Sequence, residues 1–335
     1  MGDLELSVGL VNDCDRTAAI VRGDVVVQGV NPLMTTTNPG DLFRRVVQFA
    51  EFDIAEMSVA TFVALSSRGD DRYRGLPIFP RRAFRHGFIF VNSSSGIEKP
   101  RDLESRRVGV SEYQQTASLW IRGILRDEYG VDTTAIEWHE GGLDEPEHAE
   151  RLPLRLPERT HLQRLPEGTN LSDMLRDGKL DAVIGPRRPR CMREGDPRIT
   201  RLIPDYRTAE QDYFRRTGFF PIMHMVVVRS AVLDQHPWVA TNVCTAFDEA
   251  KRASDRDWRA MADRSCGLPW LLNDVEELQE VFGGEDHWPY GLRSNRATLQ
   301  KIIDMAFEDG LVSTSIPVDE LFALQVRGDV ALEFT

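Results

Sequence analysis

At 335 residues, 41% of them hydrophobic, the chain is longer than one core usually spans, so two compact units are expected. Its 53 acidic residues against 41 basic ones leave a formal net charge of -12, which excludes a general binder of nucleic acid or of an anionic membrane surface and confines any anion site to a local basic patch. The start, MGDLELSVGL, lacks the basic and apolar regions of a signal peptide and no apolar run approaches membrane-spanning length, so the expected address is the cytoplasm.

A strand over Leu6–Leu10 opens the chain and runs through the polar loop VNDCDRT into a helix, bringing Asp13, Asp15 and Arg16 to its carboxyl end. LFRRVVQFAEFDIAEM (Leu42–Met57) then reads as an amphipathic helix, a turn and a short apolar strand led by Asp53. Glu56 stands out there, because an acid in the otherwise apolar or small run IAEMSVA should be desolvated and paired, as general acids and bases are. Ser58 closes that strand. Next, PRRAFRHGFIFVN sets Arg81, Arg82, Arg85 and His86 ahead of a continuous apolar run. The pair Arg81–Arg82 reads as solvated surface. Arg85 and His86 stand instead at the strand His86–Asn92, by which the chain leaves its first unit, and a charge there would be partly buried and in need of a partner.

The opening pattern recurs over Val108–Ile121, which parallels Val8–Val21 and offers Tyr113, Gln114 and Thr116, the last at a helix N-terminus suited to an anion. From His139 to Asn170 the chain is rich in Pro, Gly and charge and reads mainly as surface loop with one short strand, its His139, His148 and His161 solvated. LSDMLRDGKLDAVIG (Leu171–Gly185) repeats Leu42–Met57 with Asp181 in the place of Asp53, which points to a repeated structural role for that aspartate. PRRPR supplies Arg187 after the strand. A second apolar strand, Phe220–Arg229, holds His224, and a helix with Val239, Val243, Phe247 and Ala250 on one stripe follows. DHWPYG (Asp286–Gly291) sets Trp288 and Tyr290 in a rigid loop that could wall a ring pocket or pack in a core. Cys14, Cys191, Cys244 and Cys266 show no CxxC or CxxH spacing and read as reduced, unlinked thiols.

Strands and helices alternating in two similar halves predict an α/β protein of two lobes, each a mainly parallel sheet flanked by helices, with a ligand cleft between them. Residues 1–88 with 226–335 form the expected first lobe and 89–225 the second, joined by hinge strands near 86–92 and 220–229. Ligands of open α/β sheets collect at the carboxyl ends of strands. The candidate site therefore gathers Glu56, His86 and His224 for proton transfer, and Asp15, Arg16, Ser58, Arg85, Tyr113, Gln114, Thr116 and Arg187 for binding. Cationic, acidic and imidazole groups together suit a small polyanion, an aromatic one included.

The segments DRT, EFDIAEMS, PIFPRRAFRH, RVGVSEYQQTASLWIRGILRDEYGV, GTNLSDMLRDGKLDAVIGPR, RTGFFPIMHMVVVR, PWVATNV and WPYG resemble the 4,5-dihydroxyphthalate decarboxylase family along nearly the whole chain. The resemblance implies a type 2 periplasmic-binding-protein-like fold turned to catalysis. It also implies non-oxidative loss of one carboxylate from 4,5-dihydroxyphthalate to give 3,4-dihydroxybenzoate and carbon dioxide. Direct departure would leave an aryl carbanion. A base on the hydroxyl para to the departing carboxylate, with an acid that protonates the carbon bearing that carboxylate, avoids it.

On this reading Glu56 or His86 withdraws the phenolic proton and His224 delivers the ring proton, with the order interchangeable. Arg85, Arg16 and Arg187 hold carboxylates through the planar guanidinium fork. Tyr113, Gln114 and Thr116 orient the hydroxyls or the retained carboxylate. No cofactor is expected; the rival arrangement is a divalent metal chelated by the catechol oxygens, with Glu56, His86, Asp15 or His224 as ligands. The expected partner is a small aromatic dicarboxylate, with no nucleic acid and no membrane, and homo-oligomerisation is left open. Two other functions compete: a solute-binding protein for an aromatic or organic anion, which turnover would separate, and a lyase on a related hydroxybenzoate, which a substrate panel would separate.

Overall fold

A computed structural model describes residues 3–146, 152–154, 156–264, 267–284 and 286–326. The chain first lays down β1 (Leu4–Val11), α1 (Asp15–Arg22), β2 (Val30–Thr37), α2 (Pro39–Phe49), β3 (Ile54–Ser58), α3 (Val59–Ser67) and β4 (Tyr73–Leu76). It then builds β5 (Ile89–Asn92), β6 (Arg107–Val110), α4 (Thr116–Tyr129), β7 (Glu137–Glu140), β8 (Leu162–Arg164), α5 (Leu171–Arg176), β9 (Ala182–Ile184), α6 (Arg190–Arg193), β10 (Ile199–Arg201) and α7 (Tyr206–Thr217). Finally come β11 (His224–Arg229), α8 (Ser230–Gln235), α9 (Trp238–Asp263), α10 (Leu271–Val281) and α11 (Arg296–Glu308).

The strands form two sheets, in the orders β2-β1-β3-β11-β4 and β10-β5-β9-β6-β7-β8. In each, the first strand laid down after a crossing is inserted antiparallel into the interior: β5 between β9 and β10, β11 between β3 and β4. The remaining pairs, such as β1 with β2 and β6 with β7, are parallel.

The internal repetition has a physical basis. Asp53 N–H donates to the Ser7 carbonyl while the Asp53 carboxylate accepts from Ser7 N–H at 2.9 Å; Asp181 and Arg107 make the same exchange, again at 2.9 Å. Each aspartate thus pins the register of a parallel strand pair. Two glycines repeat as well: a Cβ on Gly9 would lie 2.8 Å from Leu42 and Phe52, and one on Gly109 would lie 2.6 Å from Leu171. In both sheets the absent side chain lets a helix settle directly on the strand.

α2 shows how local sequence fixes an element. Asn38 caps its N-terminus by accepting from Asp41 N–H, Pro39 opens the first turn, and Leu42, Phe43, Val46 and Val47 bury one face. α4 is buried over most of its length because α3 and α11 pack against it. That burial includes Arg122, whose Nε donates to Asp309 at 2.6 Å and whose guanidinium lies 3.7 Å from the Tyr113 ring centroid.

The crossings run side by side. Arg82 bridges Ile222 in antiparallel fashion, and Met223 N–H donates to the Arg81 carbonyl at 2.9 Å. Both are shorter as strands than the sequence suggests. His86–Phe88 is a single 3-10 turn before β5 begins at Ile89, and the return strand starts only at His224, since Pro221 has no N–H to give a ladder. Within 139–170 the described residues include the end of β7, which carries His139, and β8; His148 and, further on, Cys266 lie outside the described residues. Among the described residues no helix is long and apolar enough to cross a membrane.

Candidate active site

Between the sheets lies a cleft of about 950 Å³, lined by the loops after β1, β3, β6 and β9, the start of α2, and both crossings. Its chemical centre is a pair built by strand register. His224 stands opposite Ser58 on the antiparallel β3–β11 pair and Glu56 opposite Val226, so His224 and Glu56 are diagonal neighbours on one face. Their Nδ1–Oε1 separation is 2.6 Å. Glu56 is fully buried, and its other oxygen accepts from Val11 N–H at 3.0 Å; Arg81 Nε stands 3.6 Å from Oε1. Three polar partners therefore offset the desolvation of this carboxylate. A carboxylate against Nδ1 holds a proton there, which leaves Nε2 as the ring nitrogen that exchanges protons. Phe43 packs edge-on against the imidazole at 4.8 Å and fixes its plane.

Guanidinium groups frame this pair. Arg85 lines the cleft while nearly buried: its Nε meets Met223 Sδ, its Nη1 donates to the Pro186 carbonyl, and Nη2 has no hydrogen-bond partner among the described residues. Arg82, also lining, donates to the carbonyls of Phe220 and Pro289 and to Asn295. Burial pulls Arg82 down to about 9 and Arg85 to about 10, so both still carry charge at neutral pH. Arg81 reaches from the first crossing to the Asn12 carbonyl, 2.6 Å away. The expectation that Arg81 and Arg82 are solvated surface is thus corrected, because the segment holding them runs along the cleft beside the second crossing. Burial, with the Glu56 charge next, pushes the Cys14 thiol of the same wall up to about 11, so it is a neutral lining group.

The other expected residues divide. Ser58 and Thr116 line the cleft and share a 2.9 Å hydroxyl contact that ties β3 to the start of α4, with Thr116 also accepting from Ala60 N–H. Asp15 and Arg187 line it as well, both largely exposed, Arg187 standing 3.6 Å from Asp144. Arg16, Tyr113, Gln114 and His86 do not line it. Arg16 is buried behind Trp288, its guanidinium 4.6 Å from that ring and ion-paired to Asp255. Tyr113 packs against Arg122 and Trp138; Gln114 is buried beside it, and Ser111, Glu112 and Gln115 face the cleft instead. The 3-10 turn rotates His86 away from Arg85 and packs it against Tyr213, at 5.2 Å, and Tyr129. Trp288 joins the cleft wall through its indole N–H bond to the Phe79 carbonyl, while Tyr290 is buried.

Burial holds the His86 imidazole down at about 4. As pH falls from about 6.5 to 4 the unfolded chain takes up a proton that native His86 refuses, so stability is lost over that window, about 2 kcal/mol of it by pH 5. His86→Gln should lower that loss between pH 7 and pH 5 in urea titrations while leaving kcat within about threefold. A collapse of kcat would return His86 to the chemistry.

Among the described residues no group of three or more His, Cys, Asp or Glu side chains is gathered as a metal site. No family model matches the chain. The periplasmic aliphatic sulphonate-binding protein of Escherichia coli shares the fold, with a TM-score of 0.57 at 12% identity over 97% of this chain and 99% of that one. Fold and cleft together define a periplasmic-binding-protein-like scaffold with an imidazole–carboxylate pair at the interlobe site. A 4,5-dihydroxyphthalate decarboxylase of Comamonas testosteroni is 35% identical over 322 residues, 96% of this chain and 97% of that protein. One of Pseudomonas putida is 36% identical over 219 residues, 65% of this chain and 84% of that protein. The chain belongs to the 4,5-dihydroxyphthalate decarboxylase family.

Proposed function

We propose that this protein removes one carboxylate from 4,5-dihydroxyphthalate, giving 3,4-dihydroxybenzoate and carbon dioxide. The observation that carries the chemistry is the His224–Glu56 pair, in which Glu56 of β3 backs His224 at the start of β11, on a cleft framed by arginines. Protonated His224 gives its Nε2 proton to the ring carbon bearing the departing carboxylate. The ring hydroxyl para to that carbon yields its proton to an acceptor as the ring becomes a dienone. The carbon–carbon bond then breaks, its electron pair restores the aromatic ring, and the oxygen recovers its proton. One proton is consumed, from His224, and solvent replaces it.

Glu56 acts as a positioning residue: it fixes the imidazole plane and tautomer and stabilises the imidazolium. Arg85, with an uncommitted Nη2, holds the retained carboxylate. An equally firm grip on the departing one would stabilise the ground state and slow the reaction. Phe43 and Met223, which border His224, suit the departing group better, because an apolar wall favours neutral carbon dioxide over a carboxylate. The two crossings form the hinge on which the lobes close over the ring, and a cytoplasmic setting belongs to the same reading.

This mechanism uses no cofactor. Chelator-treated protein given 4,5-dihydroxyphthalate should form 3,4-dihydroxybenzoate, followed by liquid chromatography, at the same rate with and without added divalent metal. Product only with metal would overturn the cofactor-free mechanism. Tight calorimetric binding with no product under either condition would make the protein a solute receptor instead.

A further inference from the structure

The reaction above needs an acceptor for the phenolic proton, and the residues expected to supply one are committed elsewhere. Glu56 is buried against His224 and the Val11 amide, and His86 lies off the cleft. Asp15 is occupied too: its carboxylate accepts from Arg16 N–H at 2.9 Å and from the Ser254 hydroxyl at 3.1 Å. Two residues upstream, Asp13 lines the cleft, is exposed, and makes no hydrogen bond or ion pair with another described residue.

Its backbone is unusual. Asp13 has φ = 53°, in the left-handed region, where the other non-glycine residues among those described are Ala50, at the end of α2, and Ser105. Aspartate tolerates this region when its short side chain bonds a nearby amide, as in an Asx turn. Asp13 makes no such bond. The conformation is imposed from both sides. Asn12 N–H donates to the Thr37 carbonyl and the Asn12 carbonyl accepts from Arg81; on the other side the Cys14 carbonyl accepts from Thr17 N–H. Strain held by its surroundings at the rim of a cleft, with the side chain left uncommitted, is the pattern of a residue kept for a ligand. The same strand end supplies the Val11 amide to Glu56, so Asp13 and the proton-donating pair are set by one piece of backbone.

We infer that Asp13 is the acceptor for a ring hydroxyl, and so the residue that selects a hydroxylated aromatic dicarboxylate over an unhydroxylated one. The inference rests on the decarboxylase reading and supplies the group that reading lacks. The hydroxyl donates to the Asp13 carboxylate in the bound state; its proton passes to that carboxylate as the ring accepts the proton from His224, and it returns once carbon dioxide has left. Asp15 and Asp41, which also line the cleft, stand beside arginines, whereas the carboxylate of Asp13 repels the ligand's own carboxylates and welcomes its hydroxyl edge, which also sets the ring's orientation.

The test compares wild type with Asp13→Gly and Asp13→Asn. Glycine removes the acceptor and suits φ = 53°, so the fold is retained, and asparagine keeps an acceptor oxygen without the charge. Turnover of 4,5-dihydroxyphthalate is measured with phthalate as competitive inhibitor. Asp13→Gly should lower kcat/KM for the dihydroxy substrate at least tenfold and leave the phthalate inhibition constant unchanged or tighter, with Asp13→Asn between wild type and glycine. An unchanged kcat/KM in Asp13→Gly, or equal weakening of both ligands, would overturn the inference. Should wild type fail to turn over the substrate, the decarboxylase reading fails separately. Calorimetric affinities of 4,5-dihydroxyphthalate and phthalate for wild type and Asp13→Gly then decide whether Asp13 reads the hydroxyl, since only that role predicts loss of the preference.

Discussion

His224→Asn should lower kcat by about 10²–10⁴ while KM changes little, the loss typical of removing a positioned proton donor. Glu56→Gln should lower kcat as well, although its side chain lines none of the cleft. The amide can still occupy the space, but it carries no charge to stabilise the imidazolium, and its NH₂ can donate to Nδ1 and select the wrong tautomer. The two effects should not add, because both act through one proton at Nε2; the double variant should resemble His224→Asn alone. Steady-state kinetics of the two single variants and the double variant check this. If kcat and KM were damaged in equal proportion, the pair would be a packing or binding element, and the ring proton would have to come from elsewhere.

The largest stability effect is expected at Asp309. This carboxylate, at the end of α11, receives Arg122 Nε at 2.6 Å and Arg126 Nη1 at 3.0 Å, and Arg122 is wholly buried. Asp309→Ala strands a buried guanidinium which, among the described residues, keeps the Tyr113 and Trp138 rings as neighbours for its charge, at a cost of about 3–5 kcal/mol. Urea unfolding followed by tryptophan fluorescence, to which buried Trp120 and Trp138 contribute, would measure it. Replacing both partners with apolar residues, Arg122→Met with Asp309→Leu, should recover much of the loss, because no charge is then left unpaired. A single Asp309→Ala change costing less than about 1 kcal/mol would mean that water reaches Arg122.

Several of these features are legible in the sequence and others are not, for definite reasons. Glu56 and His224 can be found as polar residues inside apolar runs, since burial of such a group demands a partner; that they are each other's partner depends on the β3–β11 register, which pairs residues 168 positions apart. The repeat of Asp53 and Asp181 marks the two halves correctly because a parallel strand pair needs its register pinned in each. Arg81 is misjudged for want of knowledge about the other crossing: alone, PRRAFR looks like surface, and only the neighbouring 220–224 segment makes it cleft. His86 fails differently. Adjacency to Arg85 suggests a shared site, but one 3-10 turn sends consecutive side chains in separate directions. In SEYQQT the loop and Thr116 are legible in the sequence, but Tyr113 and Gln114 are chosen where Ser111, Glu112 and Gln115 face the cleft, because the turn that orients side chains ahead of α4 cannot be read from residue types alone.

The placement of β11 bears on how the molecule comes into being. On the ribosome, β3 and β4 emerge within the first 76 residues, yet the strand that belongs between them is not made until residues 224–229. An emerging chain therefore carries an open seam in its first sheet, with Glu56 exposed to water and no histidine beside it, through the synthesis of the whole second sheet. Closing the seam is a late, long-range event of the kind that slows folding and leaves incomplete chains prone to stick together. The same event delivers His224 to Glu56. A nascent or truncated chain cannot act on a ring before its architecture is finished, and regained activity after dilution from denaturant should report the insertion of a single strand.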